Sequence, residues 1–125
     1  MTINDVLTEV NELKPNTYED AVMIRWISVL EGKIIEEIIA THELPELADK
    51  IQFNGYDIND INTELIVPDT YADVYKYYIY AMIDANNGEQ NRYITSMTLF
   101  NNALNDYASY INRNYLPISM QYKVF

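Results

Sequence analysis

Apolar side chains recur at the helical period along most of this chain. Ile3, Val6, Leu7 and Val10 share one helical face and predict a short first helix. Lys14-Pro15-Asn16 ends it, because proline disfavours helical geometry in the residue before it. Thr17 with Asp20 three positions on resembles a capping box and opens a second helix. There Val22, Trp26, Leu30, Ile34 and Ile38 recur every four residues, flanked by Met23, Ile27, Ile35 and Ile39. So broad an apolar surface predicts a central helix running to about Ala40. Gly32 inside it costs ~1 kcal/mol against alanine and reads as the site of a close helix contact.

From Thr41 to Asp69 the periodicity dissolves, with Pro45, Gly55, Pro68 and many Asn and Asp between short apolar groups. A connection this long in a small domain is functional or carries small elements of its own. It reads as a short helix near Pro45–Lys50, then a hairpin or extended arm between Ile51 and Val67. Asp69 or Thr70 caps a third helix, from Tyr71 to about Asn86, with Val74, Tyr78 and Met82 on one stripe and Tyr71, Tyr75, Ile79 and Ile83 beside it. Asn86-Asn87-Gly88 closes it, the glycine supplying left-handed geometry. A fourth helix follows, about Glu89 to Asn114, with a seam of Tyr93, Met97, Phe100, Leu104, Tyr107 and Ile111. The short link forces helices three and four into an antiparallel hairpin. After Pro117, residues Ile118–Phe125 alternate apolar and polar like a strand, with no partner evident in the sequence.

The resulting expectation is a mainly α fold: a small bundle of about four main helices, a long central loop or short β-hairpin arm, and an extended C-terminal tail. Residues 1–116 read as one helical domain with 41–69 inserted as the loop or arm, and 117–125 as the tail. A chain of 125 residues that is 49% hydrophobic, with 3 Gly and no Cys, fits one compact domain able to fold without metal or disulfide. The lack of cysteine excludes zinc ribbons, Fe–S clusters and thiol nucleophiles. The start MTINDVLTEV has acids where a secretory signal needs bases. Arg25, Glu31, Lys33, Glu36 and Glu37 interrupt the longest apolar stretches, so no membrane span is expected.

Nineteen acids against 8 Lys and Arg give a net charge of -11, which argues against wrapping a phosphate backbone. The charge is uneven: residues 1–75 carry 16 acids and 4 bases, whereas 76–125 carry 3 and 4. One face or end should be strongly negative. The single histidine, His42, reads as a helix-end residue favourable to the dipole, and no serine sits in a nucleophile elbow. Asp57, Asn59, Asp60, Asn62 and Glu64 supply oxygens, but the turn glycine of a calcium loop is missing and Ile61 takes a ligand position, which leaves an ordinary polar turn. The acid pairs Glu19-Asp20 and Glu36-Glu37 read as a solvated face. No cofactor, metal or catalytic residue is expected.

Twelve tyrosines remain to be placed, five of them (Tyr71, Tyr75, Tyr77, Tyr78 and Tyr80) in the third helix. Five rings cannot all face one core stripe, and Tyr77 and Tyr80 fall off the apolar side. Such rings either replace Phe or Leu at half-buried positions or form an oligomer or partner surface, where rigid amphipathic side chains are favoured.

The order Leu65-Ile66-Val67-Pro68-Asp69-Thr70-Tyr71, then Tyr75-Lys76-Tyr77-Tyr78-Ile79, then Asn87-Gly88-Glu89 leading to Arg92-Tyr93 and Phe100-Asn101 resembles small head-tail connector (adaptor) proteins of long-tailed phages and prophages of Gram-positive bacteria. The resemblance spans about residues 51–115. It implies a non-enzymatic virion protein, assembled in the host cytoplasm, that forms a ring at the phage neck, commonly of twelve copies. Such a ring docks on the portal, extends the DNA channel and presents a surface to a neck or tail-completion protein. DNA would only pass through, unhindered by an acidic lumen. On that reading Ile118, Met120, Tyr122, Val124 and Phe125 are a tail interface. Tyr77 and Tyr80 are an aromatic interface, and Phe53, Tyr56 and Ile58 belong to an inter-subunit arm. The rival reading from another class is a soluble acidic phage protein that mimics DNA and inhibits a host DNA-binding enzyme.

Overall fold

The structure is a computed structural model, and it describes residues 1–44 and 52–118. The chain is mainly helical, with four α-helices among the described residues: α1 (Ile3–Leu13), α2 (Asp20–Ile34), α3 (Asp73–Asn86) and α4 (Gln90–Asn114). The short helix expected at Pro45–Lys50 lies outside the described residues.

The first helix forms as its pattern predicts, with Ile3, Val6, Leu7 and Val10 all buried. Its N-terminus is fixed by a reciprocal cap that escaped the sequence reading: the Asp5 N–H donates to Thr2 Oγ1, and the Thr2 N–H donates to the Asp5 carboxylate. The capping box expected at Thr17 does not form. Instead α2 starts at Asp20 behind Glu19, without a side-chain cap. The Asn16 carboxamide takes the Tyr18 N–H, so an asparagine turn occupies the stretch where the box would stand.

Along α2 the expected apolar positions are buried in part. Met23, Ile24, Ile27, Leu30 and Ile34 are buried, whereas Val22 is exposed and Trp26 half-buried. The row drawn through every fourth residue crosses the apolar face obliquely, because a period of 3.6 drifts away from four: Val22 lies outside it, Leu30 and Ile34 inside it. The helix then widens into a π-helical turn, Ile35–Ile39, where the Ala40 N–H reaches back five residues to the Ile35 carbonyl. Ile35 and Ile39 are both buried by it. Gly32 meets no helix; the nearest atoms to a Cβ placed there belong to the Phe53 ring, 3.9 Å away.

No hairpin forms among the described residues of the long connection. Residues 52–68 instead carry a short 3-10 turn, Ile58–Asp60, and then run beside the start of α1. There the Ile3 N–H donates to the Thr63 carbonyl, the Asn4 N–H to the Ile61 carbonyl and the Leu65 N–H to the Met1 carbonyl. A second 3-10 turn, Asp69–Tyr71, precedes α3, so neither Asp69 nor Thr70 caps the long helix; Ala72 stands at that position. Gly88, at φ 73°, closes α3 as expected.

The helix directions follow from the side chains that meet. Tyr78 packs on Phe100 and Tyr71 on Tyr107, so α3 and α4 are antiparallel. Tyr18 bonds Asn87 and Glu31 bonds Tyr75, so α2 also opposes α3. Lys76 and Asp84 of α3 pair with Glu9 and Lys14, which sets α1 parallel to α3. The result is an up-down-up-down bundle. The helix all the others pack on is α3, not α2 as its apolar breadth predicts.

Candidate functional site

Three groups of residues stand out as candidate interaction surfaces, and the bundle places each differently. Tyr77 and Tyr80 are both half-buried, ring centroids 6.1 Å apart and edge to face. The Lys76 ammonium lies 5.0 Å from the Tyr77 centroid and the Lys14 ammonium 5.2 Å from that of Tyr80. Burial alone would lower the Lys76 pKa, but Asp73 and Glu9 outweigh it and raise the value, so the cation over Tyr77 stays charged. Leu99 of α4, 40% exposed, stands between two hollows beside these rings. One, of about 200 Å³, is lined by Tyr71, Tyr77 and Ala103; the other, of about 390 Å³, by Lys14, Tyr80, Arg92 and Thr95. Each ring is half covered by its own chain and half open at a hollow.

The arm residues are anchored on α2 of their own chain. Phe53 stacks edge to face on Tyr56 at 4.8 Å and lies over Gly32. The Tyr56 N–H donates to Ser28 Oγ at 2.8 Å, next to Gly55, whose φ of 100° turns the chain there. Ile58 is left 51% exposed. The neighbouring acids make a closed polar turn: the Asp57 N–H donates to Asp60 and the Asn59 N–H to Asp57. Among the described residues no cluster of His, Cys, Asp and Glu is arranged to hold a metal ion.

Beneath the arm lies a carboxylate that the sequence reading passed over. Glu31 is fully buried, and its carboxylate accepts the Tyr75 hydroxyl at 2.5 Å, the Tyr56 hydroxyl at 2.9 Å and the Ile66 N–H at 3.0 Å. The Tyr75 oxygen in turn accepts the Val67 N–H at 3.0 Å. One side chain therefore ties α2, α3 and the 52–68 segment together. Burial, reinforced by the nearby Glu31 charge, raises the pKa of both Tyr75 and Tyr56. A signal for Glu31 was present, since it occupies an apolar row with Ile24, Ile27 and Ile34.

A second buried acid, Asp84, joins α1, α3 and α4. It accepts the Ser96 hydroxyl at 2.7 Å and pairs with the Lys14 ammonium at 2.6 Å.

His42 links the end of the π-helical turn to α4. Nδ1 lies 2.7 Å from the Ile38 carbonyl and Nε2 2.7 Å from the Asn112 carboxamide oxygen. The helix-end placement is thus correct, and the ring is a bridge as well. At this same point the start of the tail finds a partner within the chain, which the sequence did not reveal. The Ile118 N–H donates to the Thr41 carbonyl and the Glu43 N–H to the Leu116 carbonyl, with an antiparallel bridge between His42 and Pro117. Met120, Tyr122, Val124 and Phe125 lie outside the described residues.

The acid pairs Glu19-Asp20 and Glu36-Glu37 are exposed, as expected of a solvated face. Among the described residues no helix is long and apolar enough to cross a membrane. No family model, curated protein or solved structure matches the chain.

Proposed function

We propose that this protein is a structural subunit that works by assembling with copies of itself and with neighbours, as a head-tail connector of a phage neck. The observation that carries the reading is the surface built by Tyr77, Leu99 and Tyr80. Aromatic rings half seated in their own chain, beside an exposed leucine and two open hollows, offer a partner a rigid relief to fill. Leu13, Ile94 and Leu116 are each more than half exposed at separate places on the bundle. The pattern spread over residues 51–115 supplies the particular role: a ring, commonly of twelve copies, joining portal to tail and extending the DNA channel. No chemistry is assigned to any residue.

Light scattering on the purified full chain, alone and mixed with the portal of the same phage or prophage, tests the proposal. A ring, or a stable complex with portal, is the expected result. Leu99→Asp should weaken assembly at least tenfold while leaving the helical circular dichroism unchanged. A monomer that ignores portal and blocks a DNA-binding enzyme overturns the proposal in favour of DNA mimicry.

A further inference from the structure

Between α2 and α4 the bundle leaves an apolar groove of about 220 Å³, lined by Leu30, Ile34, Ile38, Phe100 and Leu104, with Lys33 and Glu37 at its rim. We propose that this groove is the seat of the chain's own C-terminal residues, 119–125, docked within the same molecule.

The direction of the chain carries the argument. After α4 the backbone turns and crosses residues 41–43 in the antiparallel sense, the Ile118 N–H on the Thr41 carbonyl. Moving from Leu116 to Ile118 therefore moves from Glu43 back to Thr41, toward the end of the π-helical turn. Thr41 itself donates its hydroxyl to the Ile38 carbonyl, and Ile38 is the near end of the groove. Ile118, the last residue described, therefore stands at the mouth of the groove, and the chain direction up to that point runs toward it.

Length and chemistry agree. From Thr41 back to Leu30 is eleven helical residues, about 17 Å at ~1.5 Å each. The seven residues 119–125 cover about 23 Å when extended, at ~3.3 Å each. The alternation Ile118, Met120, Tyr122, Val124 gives one apolar edge to lay against the groove. The two rises set the register of the proposed docking: four residues beyond Ile118 is about 13 Å, or about nine helical residues back from Thr41, which puts position 122 level with Gly32 and Lys33.

The test exploits the lack of cysteine. Lys33→Cys with Tyr122→Cys in the full chain should oxidise to a disulfide within the monomer, about tenfold or more faster than Leu13→Cys with Tyr122→Cys, because docking raises the effective concentration. Leu13 lies at the opposite end of the bundle. A covalent dimer would mean that a second copy fills the groove, and a rate equal to the control would mean that nothing of this chain does; either overturns the proposal. As a second measurement, ending the chain at Ile118 should shift the methyl NMR signals of Ile38 and Leu104 and leave those of Val6 and Val10 in place. Unmoved groove signals overturn it equally. Neither readout depends on portal or on ring formation, so the connector proposal can fail while this one stands.

Discussion

Replacing Tyr75 by phenylalanine removes a single oxygen atom from the core and leaves the ring in place. That atom donates its hydrogen bond to Glu31 at 2.5 Å and accepts the Val67 N–H at 3.0 Å, in a side chain with no exposed surface. A hydrogen bond to a charged acceptor is worth roughly 1.5–3 kcal/mol, and an orphaned buried N–H costs roughly 1–3 kcal/mol more. The two effects share one site and are not fully additive, so the expected loss is about 3–5 kcal/mol. Against a total stability of ~6–18 kcal/mol for a chain of this length, that is a large fraction. Urea unfolding followed by circular dichroism should show the midpoint fall with little change in slope, and Tm should drop by about 10–20 °C. Tyr78→Phe is the control, since no hydrogen bond of its hydroxyl is seen among the described residues; it should cost less than ~0.5 kcal/mol. A Tyr75→Phe loss below about 1 kcal/mol would refute the idea that Glu31 is held by this hydroxyl.

Alkaline titration probes the same network. The raised pKa of Tyr75 means that the unfolded chain loses this proton first, so its contribution is complete below about pH 10 and is lost as pH rises toward the folded value. Above about pH 10 stability should fall with a slope that approaches about 1.4 kcal/mol per pH unit from Tyr75 alone, with Tyr56 and Tyr107, raised chiefly by burial, steepening it. A flat profile from pH 9 to 11 in denaturant melts would contradict this. Lys14→Ala should cost about 3–5 kcal/mol by stranding the Asp84 carboxylate, and Lys14→Ala with Asp84→Asn should recover part of it, as a double-mutant cycle would read. Phe100→Ala, in a side chain only 7% exposed, should cost roughly 3–5 kcal/mol in the same melts.

Helices whose apolar rows are uninterrupted were legible from the sequence: α1 by its four core residues, α4 by its seam, and the α3–α4 hairpin by the short link ending at Gly88. Departures came where tertiary contacts override local pattern. Val22 and Trp26 occupy the every-fourth row of α2, yet the surface presented to α3 is set by the true helical pitch, which buries Met23 and Ile24 instead. In the sequence Glu31 reads as an interruption, because the phenols and the Ile66 N–H that satisfy it come from segments 25 to 44 residues away. Gly32 signalled close approach correctly, but the approaching group is a ring from the connection. The candidate surface was legible in part, since Tyr77 and Tyr80 fall off the core stripe. The hollows beside them exist only once α1 and α4 are in place.

The junction of the two extended stretches near the N-terminus has a kinetic consequence. The first turn of α1 exchanges main-chain hydrogen bonds with residues 61–65, about sixty positions later. A helix that is locally well coded therefore gains its clamp only after a long loop has closed, and loop closure must precede the contacts that reward it. Refolding should be slower than the high helix content alone implies, and α1 should be the last of the four helices to gain protection from solvent exchange.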